Sequence, residues 1–133
     1  MNRSEARKKI MTILYQIFLY QINNINYDVD DVIKESCEIE NEFINNTVKG
    51  VLEYKKDIEK IANKHLKDWT IDRLGVNDQA ILSIGIYELV YTDTPEIVSI
   101  NEAVELANVY SDEKVKNMIN AVLDSIYHGE DNE

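Results

Sequence analysis

The sequence predicts an all-α fold with about seven helices. Apolar residues recur at the three- and four-residue spacing of a helix along most of the 133 residues, and no strand-like alternation extends beyond a few positions. Four glycines and one proline are few for the sharp turns of a many-stranded sheet. The length and composition, with 44% apolar and 29% charged residues, suit one globular core, and we expect a single domain over residues 1–128.

The first half of the chain predicts three helical segments. The first runs over residues 4–22, with Ser4 as N-cap, and buries an apolar stripe formed by Ile10, Leu14, Ile17 and Phe18. A short acidic helix, capped by Asp28, follows and ends near residue 39. The third segment covers residues 43–65 and contains Gly50, which we expect to allow close contact with a neighbouring helix rather than to end the pattern.

The next helix is predicted to be the centre of the fold. After a connector anchored by Ile71 and Leu74, it begins at Asn77 or Asp78 and ends near residue 91. Its apolar residues surround nearly the whole circumference, which is typical of a buried helix. Gly85 in its middle predicts a close crossing by a neighbour.

Two further helices complete the predicted fold. Ser99 and Glu102 have the spacing of a capping box, so the first of them is predicted to run from Ser99 to about residue 110. The second is opened by Ser111 or Asp112 and ends near residue 127. We expect residues 129–133, which are acidic, to form a disordered tail.

The first ten residues carry a charge opposite to that of the rest of the chain. These ten residues contain four cations and a single acid, Glu5, whereas the formal net charge of the protein is −11. The cations are Arg3, Arg7, Lys8 and Lys9. Positive charge at a helix N-terminus opposes the helix dipole and costs about 0.3–1 kcal/mol per exposed charge. A local rule broken without visible compensation indicates a functional site. The cluster predicts binding of a polyanion, and RNA in particular.

Helical geometry divides these cations into two pairs. At about 100° per residue, Arg3 and Arg7 continue the buried stripe, whereas Lys8 and Lys9 diverge to its flanks. Arg3 and Arg7 should therefore lie at the edge of a helix–helix seam, where a guanidinium group can present two parallel donors to a phosphate. For Arg7 a second interpretation stays open, namely an ion pair with a carboxylate at the edge of the core.

No sequence motif indicates catalysis, a cofactor or a metal site. The sequence lacks the phosphate-binding, nucleophile-elbow, metalloprotease and dinucleotide-binding patterns, and His65 and His128 have no Cys or His at ligand spacing. Cys37 is the single cysteine, which excludes an intramolecular disulfide and fits a reducing compartment. The apolar stretches are too interrupted or too short for a secretory signal or a membrane span. We expect a cytoplasmic protein that is neither an enzyme nor a membrane protein.

Four segments of the sequence resemble motifs of a known family. Residues 100–107, Ile-Asn-Glu-Ala-Val-Glu-Leu-Ala, are similar to the central motif of the bacterial transcription antitermination factor NusB family. Arg3 and Arg7 leading to Leu14-Tyr15 resemble its arginine-rich opening. Residues 72–89 resemble its hub helix, and residues 120–124 resemble its closing motif. Order and spacing agree along essentially the whole chain.

The resemblance implies a NusB-like fold of two packed helical subdomains and a non-catalytic function in transcription. It implies binding of the boxA element of nascent RNA jointly with NusE, a small-subunit ribosomal protein, and action on RNA polymerase during ribosomal RNA synthesis. Six residues match RNA-binding positions of the family: Arg3, Arg7, Lys8, Lys9, Met118 and Asn120. Three match the region that meets NusE: Tyr15, Leu19 and Asp78.

The last helix departs from the family pattern at three positions. Met118 stands where the family usually has Phe, Ala121 where it has Gly, and Ser125 where it has Lys or Arg. Loss of the Phe removes an aromatic surface on which an RNA base could stack. The hypothesis is that Lys114 and Lys116 compensate with RNA contacts from this helix.

Two other function classes stay open at this point. NusB-like domains also occur in RNA cytosine methyltransferases, so the chain could be an accessory domain related to these, although no methyl-donor-binding half follows it in the sequence. Alternatively, the cations could belong to a protein-interaction module that binds an acidic protein surface. RNA binding with and without NusE distinguishes these alternatives.

Overall fold

The computed structural model describes residues 1–129, which form seven α-helices and a short 3₁₀ turn at Ile71–Arg73. The α-helices are α1 (Arg3–Ile22), α2 (Val29–Ser36), α3 (Glu42–Glu53), α4 (Lys55–His65), α5 (Val76–Tyr91), α6 (Glu96–Tyr110) and α7 (Glu113–Tyr127). No strand occurs in residues 1–129, and the predicted all-α class is confirmed. The predicted tail lies outside the described residues, apart from Gly129.

Helix α5 lies at the centre of the fold, as its apolar circumference predicts. It packs against α1, α3, α4, α6 and α7. A Cβ atom on Gly85 would lie 2.8 Å from Cδ1 of Leu123 in α7, and one on Gly50 of α3 would lie 2.3 Å from the ring of Tyr87. Both glycines therefore permit the close helix contacts that the sequence predicts.

The remaining helices form two groups around α5. In the first group α1 packs against α2 and α3, and in the second α6 packs against α7, which also contacts α4. This arrangement agrees with the expected pair of packed helical subdomains. Helix α1 reaches the second group through α6, and its first turns contact both groups, since Ser4 bonds to Glu102 of α6 and Arg3 lies over Phe43 of α3.

The predicted N-cap of α1 is wrong. Asn2 caps the helix, because its Oδ1 accepts a hydrogen bond of 2.8 Å from the backbone N–H of Glu5. Ser4 lies within the helix, and its hydroxyl donates to Oε1 of Glu102 at 2.8 Å. The Ser4 hydroxyl, which the local sequence predicts as a helix cap, is thus hydrogen-bonded to the carboxylate of Glu102 in α6.

The predicted capping box of α6 is also wrong. The helix begins at Glu96, directly after Pro95, whose restricted φ suits a helix start. Ser99 is therefore inside the helix and buried, and Glu102 is directed towards α1. By contrast, Asp28 and Asp112 cap α2 and α7 as predicted.

Other differences concern helix boundaries. The segment predicted as one helix over residues 43–65 is two helices, α3 and α4, which are separated at Tyr54 with φ −99° and ψ 16°. No glycine or proline marks this break; instead the Tyr54 ring stacks on that of Tyr91 in α5, with centroids 4.3 Å apart. Helix α2 ends at Ser36, earlier than predicted, and α5 begins at Val76.

Candidate nucleic-acid interface at the N-terminus of α1

The guanidinium group of Arg7 is buried in an ion pair between α1 and α5. Its Nε donates to Oε2 of Glu88 at 2.8 Å, and its Nη2 donates to Oε1 of the same carboxylate at 2.7 Å. Arg7 is 3% exposed and Glu88 is 2% exposed. Of the two interpretations of Arg7 that the sequence left open, the structure shows the ion pair.

A second carboxylate extends this ion pair into a network. Nη1 of Arg7 lies 3.3 Å from Oε1 of Glu102, which also accepts the hydrogen bond from Ser4. Burial lowers the pKa of the Arg7 guanidinium, but the hydrogen bonds and negative charges of Glu88 and Glu102 outweigh it and raise the pKa above its ordinary value. The network joins α1, α5 and α6, and it fixes the orientation of the first turns of α1.

Arg3 is exposed and lies over an aromatic ring at the start of α3. Its Cζ is 4.3 Å from the ring centroid of Phe43, and Cζ of Arg7 is 5.3 Å from the same centroid. Both distances are within the roughly 6 Å over which a cation is attracted to an aromatic face. Arg3 and Phe43 border a groove of about 740 Å³, whose other walls are the end of α5 and the α5–α6 connection.

Lys8 and Lys9 are exposed on the flanks of α1, as predicted. Nζ of Lys9 donates to the carbonyl oxygen of Ser36 at 2.8 Å, at the end of α2, where a cation complements the helix dipole. Lys8 lines a cleft between α1 and α6 together with Ser4 and Glu105. Arg3 and Lys8 are thus the cations of this cluster most open to a ligand.

The predicted partner-binding face begins next to Lys8. Tyr15 and Leu19 follow Lys8 by seven and eleven residues, which places all three within about 40° around the axis of α1. Tyr15 is 40% exposed, and Leu19 is half-buried. One helix therefore presents a cation and an exposed apolar surface on the same side.

Asp78 is largely buried at the start of α5. Its Oδ1 accepts hydrogen bonds from the Ser111 hydroxyl and from Nδ2 of Asn77, the latter at 3.4 Å. Asn77 also donates to the carbonyl oxygen of Tyr110 at 2.6 Å. These bonds tie α5 to the junction of α6 and α7, and the 9% exposure of Asp78 leaves the edge of this residue accessible.

The predicted residues of α7 lie on more than one side of that helix. Lys114 and Met118 are one turn apart, whereas Asn120 lies roughly 160° around the axis from Met118. Lys114 and Asn120 are exposed, but Met118 is half-buried and packs against the core. The structure therefore brings Lys114 and Met118 onto one side and directs Asn120 elsewhere.

Two residues of the site, Phe43 and Glu88, are not among the predicted ones. A signal for Glu88 was available, because a carboxylate on a helix that is apolar all round needs a buried partner. Nothing in the sequence near Phe43 indicates its contact with Arg3. Among residues 1–129, no three His, Cys, Asp or Glu side chains are arranged to hold a metal ion, and no helix is sufficiently long and apolar to cross a bilayer.

Comparison with known sequences identifies the family. The model of the NusB family matches residues 4–128. The transcription antitermination protein NusB of Listeria monocytogenes serotype 4a (strain HCC23) is 39% identical over 128 residues, covering 95% of this chain and 96% of the relative. The protein of the same name from Finegoldia magna (strain ATCC 29328 / DSM 20472 / WAL 2508) is 36% identical over 140 residues, covering 99% and 98%.

Solved structures agree with this match. NusB of T. maritima has a TM-score of 0.83 at 25% identity, covering 96% of this chain and 92% of that one. A crystal structure of antitermination factors NusB and NusE in complex with dsRNA has a TM-score of 0.78 at 27% identity, covering 97% and 99%. The predicted NusB-like fold is confirmed. Since sequence and fold agree over nearly the full length, the protein belongs to the NusB family.

Proposed function

We propose that the protein is a non-catalytic antitermination factor that binds boxA RNA together with NusE and acts on RNA polymerase during ribosomal RNA transcription in the cytoplasm. Its relatives are named transcription antitermination proteins, and one similar structure contains NusB, NusE and dsRNA. The observation that carries the proposal is the exposure of Arg3 and Lys8 on the first turns of α1, with Lys8 on the same side of the helix as Tyr15 and Leu19.

In this proposal the cations of α1 contact RNA phosphates. Each phosphate neutralised releases counterions, so affinity falls with salt, with a slope of about 0.7 per contact for a single strand. The remainder of the protein is acidic, with a formal net charge of −11 for the whole chain, and it repels RNA elsewhere. Binding of RNA by the protein alone is therefore weak, and a partner seated beside Lys8 adds affinity and specificity.

The other predicted residues contribute additional contacts to RNA or to NusE, or position the residues that do. Lys9 contacts RNA while it is held by Ser36, and Arg7 positions the first turns of α1 through Glu88. In α7, Lys114 adds a phosphate contact and Met118 an apolar one, whereas Asn120 contacts RNA only where the strand continues around that helix. NusE contacts Tyr15, Leu19 and the accessible edge of Asp78.

A gel shift with boxA RNA, with and without NusE, tests the proposal. The double variant Arg3→Ala/Lys8→Ala is expected to weaken RNA binding at least tenfold while its helical circular dichroism stays unchanged, because both side chains are exposed. The matched control is Lys56→Ala/Lys60→Ala in α4, which removes the same charge from another exposed surface. Equal RNA affinity of the two double variants would contradict the proposed interface.

Two single variants separate the RNA-binding and partner-binding surfaces. Tyr15→Ala is expected to reduce the gain in RNA affinity that NusE provides, without changing RNA binding by the protein alone. Lys114→Glu is expected to weaken RNA binding in low salt, because a repulsive charge replaces an attractive one. Unchanged affinity of this variant would remove Lys114 from the RNA-binding surface.

A further inference from the structure

The groove beside Arg3 has the size of a small-ligand site. It lies between the starts of α1 and α3 and the end of α5, and its volume of about 740 Å³ falls within the range of roughly 300–1,000 Å³ that is common for such sites. Asn46 and Thr94 contribute polar side chains to its walls. The groove is on the Arg3 flank of α1, away from the face of Lys8 and Tyr15.

A stacked pair of side chains forms one edge of this groove. Phe43 holds the guanidinium group of Arg3 over its ring at 4.3 Å, while the network of Arg7 fixes the turn that carries Arg3. Unpaired RNA bases stack on aromatic rings and on arginine planes, and this stacking tolerates any base because every base has a π-face. Arg3 is exposed, so a base can reach its guanidinium group.

The charges around the groove select a base rather than a phosphate. Glu42 and Asp93 line it, and their carboxylates repel a phosphate group. The same carboxylates accept hydrogen bonds from the exocyclic amino groups of bases, and the Asn46 amide can both donate and accept. A neutral base with amino groups fits this lining, whereas its phosphate stays outside near the N-terminus of α1.

We propose that this groove binds one unpaired base of the RNA, stacked on Arg3 over Phe43 and hydrogen-bonded by Asn46. The inference rests on the proposed function, since it assigns a specificity-determining subsite to the same RNA ligand. An RNA strand that crosses the first turn of α1 places its phosphates on the cations and one base on the Arg3 flank. Selection among RNA sequences then involves contacts of this protein as well as those of its partner.

Abasic substitution tests the subsite. A series of single-stranded boxA RNAs, each lacking the base at one position, is titrated against the full-length protein with NusE present. For the wild type, loss of the base that occupies the groove is expected to weaken binding about tenfold. In Phe43→Leu the loss of affinity caused by the same missing base is expected to be smaller than in the wild type, because Arg3 no longer has the ring that holds its guanidinium group under the base. The matched control is Tyr127→Leu, which removes an aromatic side chain from α7, outside the groove. In this control each abasic RNA should lose the same affinity as in the wild type.

A second variant keeps the test valid if Phe43→Leu does not fold. Asn46 is exposed, and Asn46→Ala is expected to couple to the same RNA position while the thermal melt stays unchanged. Additive losses at every RNA position in both variants would overturn the subsite and leave the proposed function intact. Failure of the wild type to bind any of the RNAs would overturn both. If the two variants lose NusE binding and couple to no RNA position, the groove belongs to the protein partner. That result would also overturn the subsite.

Discussion

Substitution of Arg7 by Met separates a structural role of this arginine from RNA contact. Methionine retains an unbranched apolar side chain of similar length, but it lacks the guanidinium group that donates two hydrogen bonds to Glu88, of 2.7 and 2.8 Å. Within residues 1–129 no other donor to this carboxylate is found, and Glu88 is 2% exposed. Breaking a buried ion pair from one side costs about 3–5 kcal/mol, a large part of the 5–15 kcal/mol by which proteins of this kind are stable.

Urea unfolding followed by far-UV circular dichroism measures this cost. With a denaturant slope of about 2 kcal/mol per molar urea, the midpoint of unfolding should fall by about 1.5–2.5 M. The double variant Arg7→Met/Glu88→Met is expected to recover most of the loss, because an apolar pair can replace a buried ion pair at little cost. A midpoint of Arg7→Met within about 0.5 M of the wild type would refute the reasoning.

The RNA affinity of the same variant gives an independent readout. Under conditions where Arg7→Met is folded, its affinity for boxA RNA should stay within about threefold of the wild type, since the buried guanidinium contacts carboxylates and not solvent. A tenfold loss by the folded variant would show that the ion pair opens when RNA binds and that Arg7 then contacts phosphate directly.

Two further predictions concern packing and titration. Gly85→Ala should destabilise the protein by about 1–3 kcal/mol, because the added Cβ would lie 2.8 Å from Leu123; Asn117→Ala, on the exposed side of α7, should be nearly neutral in the same urea assay. Burial, with the nearby charge of Asp57, raises the pKa of Tyr91 above 10.0, so the folded state holds this proton more tightly than the unfolded chain. That contribution is complete below pH 10 and is lost as the pH rises further. The urea midpoint of Tyr91→Phe should therefore fall less between pH 9 and pH 11 than that of the wild type, and equal decreases would contradict the assignment.

The helices and their buried faces follow from the sequence because they depend on local periodicity. The apolar stripe of α1 and the all-round apolar surface of α5 each predict a helix and its burial without knowledge of the neighbours. Gly50 and Gly85 were predictable as close contacts for the same reason, since a glycine inside a helical pattern costs stability unless a neighbour uses the space. The basic first turns of α1 are likewise visible as a departure from dipole complementarity.

Contacts between distant segments could not be derived in this way. The break between α3 and α4 at Tyr54 coincides with stacking on Tyr91 rather than with a glycine or proline. The predicted capping box at Ser99 and Glu102 has the correct local spacing, but α6 begins earlier and Glu102 accepts hydrogen bonds from α1. Local rules list several partners for each polar group, and only the packing of helices selects one of them.

Apolar periodicity and charge pattern are sufficient to predict an all-helical protein with α5 at its centre and a cluster of cations at the start of α1. How those cations divide is visible only once the helices are packed: Arg7 is paired with a carboxylate 81 positions away, whereas Arg3 lies over Phe43 at the edge of a groove. The physical reason is that periodicity and charge are properties of one segment. Burial of a charge, by contrast, requires a partner that a different helix must bring within hydrogen-bonding distance.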